Sequence, residues 1–515
     1  MRISRLIPTL LVALTAAVLA AGCGSLLSVG TNVSCVIDNA GTPYCFGDNA
    51  AGQAGHAAGT TPVAAGPVVL PKGQRAADIA VGLGDPGGNA SVCALISRSG
   101  VSGASLRCWG ADDHGQLGRG SAGAAAAAPI PVELPGIAVS EVGVGAWSTC
   151  AIGEFASGGT AQSTSVYCWG DNTYGQLGRS AAGISGPMAV PGTSSFRAKA
   201  GDSTTPSLLA VGGFHACAGI ATELRCWGHG TSGELGNGAS VDSTAPVTVK
   251  LPRQIGTVNA ITAGVAFTCA LANDRTGSKT QRVWCWGANG SGQLGNGSTA
   301  ASAVPVKAPL GEDAAPASSV SAGGSHACAI AEDSTVWCWG ANDHGQLGNG
   351  STTASSTSVQ VSGLKATTIS AGGDQTCAST TTGHLVCWGG NAHGQLGNVA
   401  SGDQLVPSDL TGIAGLTSPK ARTVQVKGTA SVGRTLSVAT MPWANAVTYS
   451  YQWEQRGADG QWASIEGAST RSRLKLSSAL AGQLIRVTVT GTNVWTETGI
   501  ASSASGTSRG VRIAG

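Results

Sequence analysis

One phrase constrains this chain more than any other feature. Cys-Trp-Gly, once Cys-Phe-Gly, is followed seven residues after its Cys by Gly-Gln-Leu-Gly or a near copy. The phrase opens at Cys45, Cys108, Cys168, Cys226, Cys285, Cys338 and Cys387, so successive copies lie 49 to 63 residues apart. Recurrence at such a period marks a repeat architecture, in which each unit buries its apolar surface only by stacking on neighbours. The seven-residue offset holds even in the variants Gly52-Gln53-Ala54-Gly55 and Gly233-Glu234-Leu235-Gly236, so the turn is a rigid part of the unit. Four residues after each Cys stand Asn49, Asp112, Asn172, Gly230, Asn289, Asn342 and Asn391. These residue types best tolerate φ > 0, and the sequence predicts a left-handed position there.

Each repeat reads as four short strands. The first ends in Val-Gly or Ala-Gly, as in Ile79 to Gly82, Leu208 to Gly212 and Ile369 to Gly372. The second carries another Cys, as in Ala327-Cys328-Ala329-Ile330, and the third carries the Cys-Trp-Gly phrase. The fourth alternates with a period of two, as in Pro131-Val132-Glu133-Leu134 and Pro246-Val247-Thr248-Val249. The two Cys of a repeat flank a segment of variable length while the phrases around them persist, as in a hairpin with a variable loop. Facing Cys in adjacent antiparallel strands lie within disulfide range. The sequence therefore predicts seven bridges: Cys35–Cys45, Cys93–Cys108, Cys150–Cys168, Cys217–Cys226, Cys269–Cys285, Cys328–Cys338 and Cys377–Cys387. Each bridge closes a short loop and contributes about 2–3 kcal/mol in the chain-entropy model. A single four-stranded unit cannot bury both faces, whereas repetition around a ring does so without long exposed edges. Leu26 to Gly30 supplies a first strand for repeat one, and Pro407 to Gly412 a last strand for repeat seven. The expected fold class is all-β: a seven-bladed β-propeller of four-stranded blades over 23–415, followed by a small β-sandwich.

These phrases resemble the repeats of the regulator of chromosome condensation family. The resemblance covers about residues 26–415, through Gly323 to Ala329, Cys-Trp-Gly, and Gly345 to Gly350. It implies a seven-bladed β-propeller, with His215 and His326 hydrogen-bonded within their blades and the recurrent Trp packed between blades. Founding members of the family are nuclear exchange factors for a small GTPase and bind chromatin. This chain departs from them in an export-type N-terminus, in its paired cysteines and in having no basic tail.

Residues 1–22 read as a secretory signal, with Arg2 and Arg5 ahead of an uncharged apolar stretch from Leu6 to Ala21. Ala20, Ala21 and Gly22 precede Cys23 and resemble a bacterial lipobox, which implies lipidation of Cys23. Leu19 stands four residues before Cys23, one further than the usual pattern. The chain has 15 Cys, and lipidation of Cys23 removes the odd thiol from an otherwise paired set. The expected location is extracytoplasmic, lipid-anchored at the outer membrane face or secreted.

After Ser418 the repeats stop. Residues 419–505 hold no Cys and alternate apolar and polar residues, as in Tyr449 to Trp453 and Ile485 to Thr490. They resemble bacterial immunoglobulin-like modules, with Trp453 as the core tryptophan and Ala481 where such modules carry an acidic residue. Trp443, Trp462 and Trp495 lie nearer the surface in this reading, and residues 506–515 form a flexible tail.

Only 11% of residues are charged and the net charge is +2, so the chain lacks the basic field that nucleic-acid binding needs. No catalytic, cofactor-binding or metal-binding motif is found; catalytic residues, cofactors and metals are all expected to be none. His114, His344 and His393 each precede Gly-Gln-Leu-Gly, but Ala51, Tyr174, Ser232 and Ser291 occupy the same position elsewhere, which reads as loop histidines rather than a metal ring. Asp112, Asp113 and Asp171 are candidates for pairing with other carboxylates. The segments 97–105, 153–165, 192–206 and 273–281 are longer than their counterparts, and binding concentrates on loops of rigid scaffolds. The expected function is a non-enzymatic, surface-anchored binding scaffold for a protein or envelope glycan, acting as a monomer and touching the membrane only through a lipid. The alternatives are an adhesin or wall-binding module acting through the C-terminal sandwich, then a propeller glycosidase or lyase, and last a GTPase exchange factor.

Overall fold

The computed structural model describes residues 27–514 apart from 39, 60–62, 85–89, 99–103, 156–162, 182, 197–206, 276–279, 313, 383, 399–401, 411–423, 425, 439–447, 458, 466–472, 494–501 and 509–510. Among the described residues the chain is all-β with one short 3-10 turn, Ser478–Leu480. Seven units of four antiparallel strands follow one another. Units 1 to 5 are separate sheets within 27–67, 74–131, 137–189, 208–248 and 255–308. Units 6 and 7 form one seven-stranded sheet, because the long strand Ser355–Ala371 is the fourth strand of one and the first of the other. The fourth strands start earlier than the alternation suggests: they are Ala126–Pro131 in unit 2 and Ser243–Thr248 in unit 4.

In every unit the second and third strands place the two Cys opposite each other. Disulfides join Cys35–Cys45, Cys93–Cys108, Cys150–Cys168, Cys217–Cys226, Cys269–Cys285, Cys328–Cys338 and Cys377–Cys387, with Cα atoms 4.0 to 4.1 Å apart. These bridges are local, so other contacts must hold unit to unit. The indoles of Trp109, Trp169, Trp227, Trp286, Trp339 and Trp388 are fully buried. Each donates its Nε1–H, over 2.8 to 3.1 Å, to the carbonyl of the Gln or Glu in the preceding unit's Gly-Gln-Leu-Gly turn. Unit 1 has Phe46 instead of Trp; there Ser34 Oγ donates to the Gln395 carbonyl of unit 7 at 2.8 Å.

The inner ends of the units touch backbone to backbone. A Cβ on Gly30 would stand 2.3 Å from the Gly82 carbonyl oxygen, and one on Gly82 2.7 Å from that of Gly145. The series continues from Gly145 to Gly212 (2.4 Å), Gly212 to Gly264 (2.5 Å), Gly264 to Gly323 (2.4 Å), Gly323 to Gly372 (2.2 Å), and from Gly372 back to Gly30 (2.1 Å). The Val-Gly and Ala-Gly phrases end where they do because no side chain fits there.

Two local expectations are corrected. The Asn and Asp four residues after each Cys do not take up φ > 0; Ser334 alone does so among described non-glycine residues. Their Oδ1 atoms instead accept the backbone N–H five residues on, from Ala54, Leu117, Leu177, Leu294, Leu347 and Leu396, at 2.8 to 3.1 Å. A side-chain acceptor and a left-handed turn favour the same residue types, so composition alone does not separate them. The positive φ falls on the neighbouring glycines, such as Gly115 and Gly118. His215 and His326 bridge units rather than bonding within one. Their Nε2 atoms meet Thr268 Oγ1 and Thr376 Oγ1 of the following unit at 2.8 and 2.9 Å. Those hydroxyls donate to the carbonyls of Glu234 and Gln346, so each imidazole donates from Nε2. Burial pulls both imidazole pKa values down to about 3.

Beyond residue 423 two antiparallel sheets share one apolar core. One contains Val426–Lys427, Thr435–Val438 and Arg473–Lys475; the other contains Thr448–Arg456, Trp462–Ser464, Leu484–Asn493, Ser502–Thr507 and Val511–Arg512. Trp453 is fully buried at the centre with Leu436, Leu474 and Val487. Residues 506–515 are expected as a flexible tail, but 506–508 and 511–514 take part in the fold. Val511 and Arg512 pair with Ile485 and Leu484, and Ile513 is buried in the same core, because its apolar side chain completes the cluster around Trp453. Trp462 lies under the Arg486 guanidinium, 4.3 Å from its ring centre, while Trp443 and Trp495 fall outside the described residues.

The glycine contacts make a direct expectation. Gly145→Ala forces a methyl against the Gly212 carbonyl and lowers unfolding free energy by about 1–3 kcal/mol, the usual cost of overpacking. Gly290→Ala, with open space around it, changes stability by less than about 0.5 kcal/mol. Denaturant melts of the two variants beside the parent check this.

Candidate functional site

Strand direction alternates within a unit, so two sets of residues meet at one end. The residue three before the first Cys lies there, together with those three to six after the second Cys. These positions are not fixed by the repeat. Three before the first Cys stand Asn32, Ala90, Trp147, Phe214, Ala266, Ser325 and Asp374. Where units 2, 3 and 4 meet, they assemble a continuous strip of rings. His114 stacks on Trp147 with centroids 4.3 Å apart and planes 13° from parallel. Trp147 meets the edge of Phe214 at 4.7 Å, Phe214 meets Tyr174 at 5.4 Å, and Tyr174 meets His229 edge-on at 5.2 Å. All five are half-buried, and the Trp147 Nε1–H is enclosed without an acceptor. His229 is held in place by the buried carboxylate of Glu234, which lies 2.5 Å from its Nδ1. Burial pushes the Glu234 pKa up.

The same end in units 6 and 7 is polar. His344 Nδ1 lies 2.7 Å from Asp403 Oδ2, and that bond raises the imidazole pKa. Asp374, at the position of Trp147 and Phe214, accepts from Gln346 Nε2 at 3.3 Å, and burial raises its pKa. The structure thus separates the three sequence-flagged histidines: His114 joins the ring strip, His344 pairs with Asp403, and His393 stands apart in unit 7. Asp112 pairs with Arg119 at 3.3 Å and is also repelled by the neighbouring Asp113 carboxylate, while Asp171 accepts from Gln176 and Thr173. Asp113 accepts from Gln116 Nε2 at 3.2 Å.

The long loops singled out from sequence lie at the opposite end of the units, and their middles, 99–103, 156–162, 197–206 and 276–279, fall outside the described residues. Cys23 and the 1–22 segment also fall outside them. Trp147 and Phe214 were missed because attention to loop length passes over a position of constant spacing; aligning the repeats on the first Cys displays both. On the inner strands Glu141 faces Asp78 of the neighbouring unit and accepts the Leu209 N–H of the next. Burial, reinforced by Asp78, raises the Glu141 pKa from 4.5 to about 8.

Comparison with known proteins agrees with the repeat architecture. Residues 165–218, 224–271, 281–330 and 333–379 match the Regulator of chromosome condensation (RCC1) repeat, and a second model of that repeat matches 258–293, 317–346 and 366–395. Human E3 ubiquitin-protein ligase HERC2 is 27% identical over 288 residues, covering 53% of this chain and 5% of that protein. The Arabidopsis thaliana ultraviolet-B receptor UVR8 is 27% identical over 308 residues, 60% of this chain and 62% of the receptor. The chain thus spans a small part of HERC2 and less than two thirds of UVR8. Human WBSCR16 superposes with TM-score 0.57 at 20% identity, covering 72% of this chain and 93% of that one. Prp20p of Saccharomyces cerevisiae superposes with TM-score 0.56 at 19% identity, covering 75% and 87%. Both show a likeness of fold.

The half-buried Glu141 couples stability to pH. The folded carboxyl keeps its proton up to about pH 8, whereas the unfolded one releases it near 4.5, so rising pH across that window favours unfolding. Glu141→Gln, which keeps the acceptor for Leu209, removes this loss. Its melting temperature exceeds the parent's increasingly from pH 5 to pH 8 and converges with it below pH 4.5, as measured by thermal unfolding in matched buffers.

Proposed function

We propose that this chain, which carries regulator of chromosome condensation repeats, is a closed seven-bladed β-propeller that acts as a non-enzymatic scaffold binding a partner protein. The observation that carries the reading is the strip of half-exposed rings from His114 through Trp147, Phe214 and Tyr174 to His229. Aromatic side chains supply large contact area at low entropic cost and dominate the energetics of protein interfaces. His114, Trp147 and Tyr174 lie with successive planes 13° and 20° apart, while Phe214 and His229 meet them at 59° to 89°, which makes a relief for interdigitating side chains. In Prp20p, the fold neighbour whose binding to Gsp1p and histones has been described, the same fold serves protein partners.

In this reading the chain is exported, Cys23 carries the lipid, and the C-terminal sheets form a sandwich. The propeller's partner is an extracytoplasmic protein.

Trp147→Ala and Phe214→Ala each weaken partner binding by about thirtyfold, the usual loss for a central aromatic anchor, about 2 kcal/mol. Affinity capture with the tagged full chain from envelope fractions, followed by titration of the recovered partner, measures this. A partner retained at parental affinity by both variants overturns the assignment to this end.

A further inference from the structure

Charge is distributed unevenly between the two ends of the units. The ring strip lies at the end formed by the connections from third to fourth strands and from first to second strands. Among the described residues these connections carry nine carboxylates, one each in units 1, 3 and 6 and two each in units 2, 4 and 7. They carry two guanidiniums, Arg119 and Arg179, and no Lys, although the whole chain has a net charge of +2. Both guanidiniums are engaged: Arg119 pairs with the buried Asp112, and Arg179 is buried with its Nη2 3.2 Å from the Cys168 carbonyl. Lys250 reaches in from the other end, where its Nζ lies beside Gly238. Counting all five imidazoles of these connections as charged, and Lys250 with them, still leaves the carboxylates in excess. The His229 ring is taken by Glu234 and the His344 ring by Asp403. Among the described residues Asp48, Asp171, Asp242, Asp343 and Asp374 have no Lys or Arg within ion-pair distance, and Asp113 has the His114 ring at 3.9 Å.

Two of these carboxylates bracket the ring strip. Asp113 adjoins His114 at one end, and its side chain is 54% exposed. Asp242 is exposed at the other end, its Oδ1 accepting the N–H of Gly230, next to His229, at 2.9 Å. Val265, exposed beside Gly213, extends the apolar surface past Phe214. Further round the same end, exposed Asp343 and Asp403 stand close to Asp374. Burial raises the Asp374 pKa, and these two carboxylates add to the rise against the opposing pull of His344. Carboxylates gathered in this way favour the approach of a cation.

We propose that the partner protein bound by the ring strip presents a basic surface, with Arg or Lys side chains seated on the rings and reaching Asp113 and Asp242 at the two ends of the strip. The inference rests on the strip being the binding surface and adds the chemistry of what it binds. Ring faces attract guanidinium and ammonium groups. The long stems of those side chains cover apolar surface such as Val265 while their heads stay polar. A carboxylate at each end supplies the counter-charge, bidentate where the head is Arg. Asp343 and Asp374 act at longer range, since a face of one sign steers an oppositely charged partner and speeds encounter. An acidic partner meets like charge here and is rejected.

The test uses the full chain. Random peptides displayed on phage are selected on the parent, and the enriched sequence is made as a labelled peptide. It is titrated against the parent, Trp147→Ala, and a double variant carrying Asp113→Asn and Asp242→Asn. Asparagine keeps the oxygens that accept from Gln116 and Gly230, so the double variant is expected to melt with the parent. Enrichment of sequences rich in Arg and Lys is expected, with binding weakened at least tenfold by Trp147→Ala and severalfold by the double variant. Binding also weakens as salt is raised, because exposed charges are screened. If the double variant melts below the parent, Asp343→Lys at an exposed position replaces it, with association slowed severalfold as the expected result. Acidic or uncharged peptides that still require Trp147 overturn the basic partner and leave the ring strip as the binding surface. Basic peptides held equally by Trp147→Ala overturn the strip, and this proposal with it. Basic peptides held equally by the charge variants, or no enrichment at all, overturn the proposal too.

Discussion

Backbone-to-backbone contact at the inner rim is the constraint on which the rest of the structure depends. Seven glycines, from Gly30 to Gly372, each stand where a Cβ would meet the next unit's carbonyl oxygen, and the series returns to its start. Backbones this close fix the distance between neighbouring inner strands. The indole of each following unit then reaches the preceding turn carbonyl, as Trp227 reaches Gln176. That carbonyl is placed by the turn, the turn by the Asn172 side chain holding the Leu177 amide, and the third strand by its disulfide to the second. Loosening the rim would misalign every layer outside it.

The fold was legible because these layers each leave a mark at fixed spacing. The Cys pairs, the Trp and the paired glycines of the turn recur at offsets that hairpins and turns require, and they sufficed to place seven four-strand units. Two local readings failed for different reasons: Asn172 holds the amide of Leu177 within its own turn, a role that favours the same residue types as a left-handed φ, whereas His215 reaches Thr268 in another unit. Partners across a seam lie about fifty residues away and leave no local pattern. Ile513 was misplaced similarly, since a short apolar residue in a polar terminus acquires meaning only from the Trp453 core it completes.

The candidate site was legible in its ingredients and illegible in its assembly. His114 and Tyr174 were visible as variable residues ahead of Gly-Gln-Leu-Gly, but Trp147 and Phe214 belong to another strand of the repeat. Only the alternation of strand direction brings the two sets to one end. The same geometry puts Asp374, His344 and Asp403 on the far side of that end, so one set of variable positions gives an aromatic sector and a polar one. A rigid repeat with a few unconstrained positions per unit is well suited to this, because changing them does not disturb the seams.

The seam between units 7 and 1 departs from the others in a way that bears on how the first and last units are joined. Phe46 cannot donate to Gln395, and Ser34 does so instead, while the Gln375 amide and the Gly373 N–H both reach the Gly30 carbonyl. Those bonds join parts of the chain about 340 residues apart, so closing them costs more chain entropy than any bond between consecutive units. None of the seven disulfides crosses this seam or any other, since each closes its own hairpin. Oxidation therefore strengthens the units one by one, whereas the junction of units 7 and 1 rests on hydrogen bonds, on the apolar cluster of Leu27, Val29 and Phe46 with Leu385, Leu396 and Leu410, and on close fit at Gly372 and Gly397 against Gly30 and Phe46. A glycine at each contact lets the ends approach closely enough for those bonds to form, which is why the first and last units keep the rim glycine although the first has given up the tryptophan.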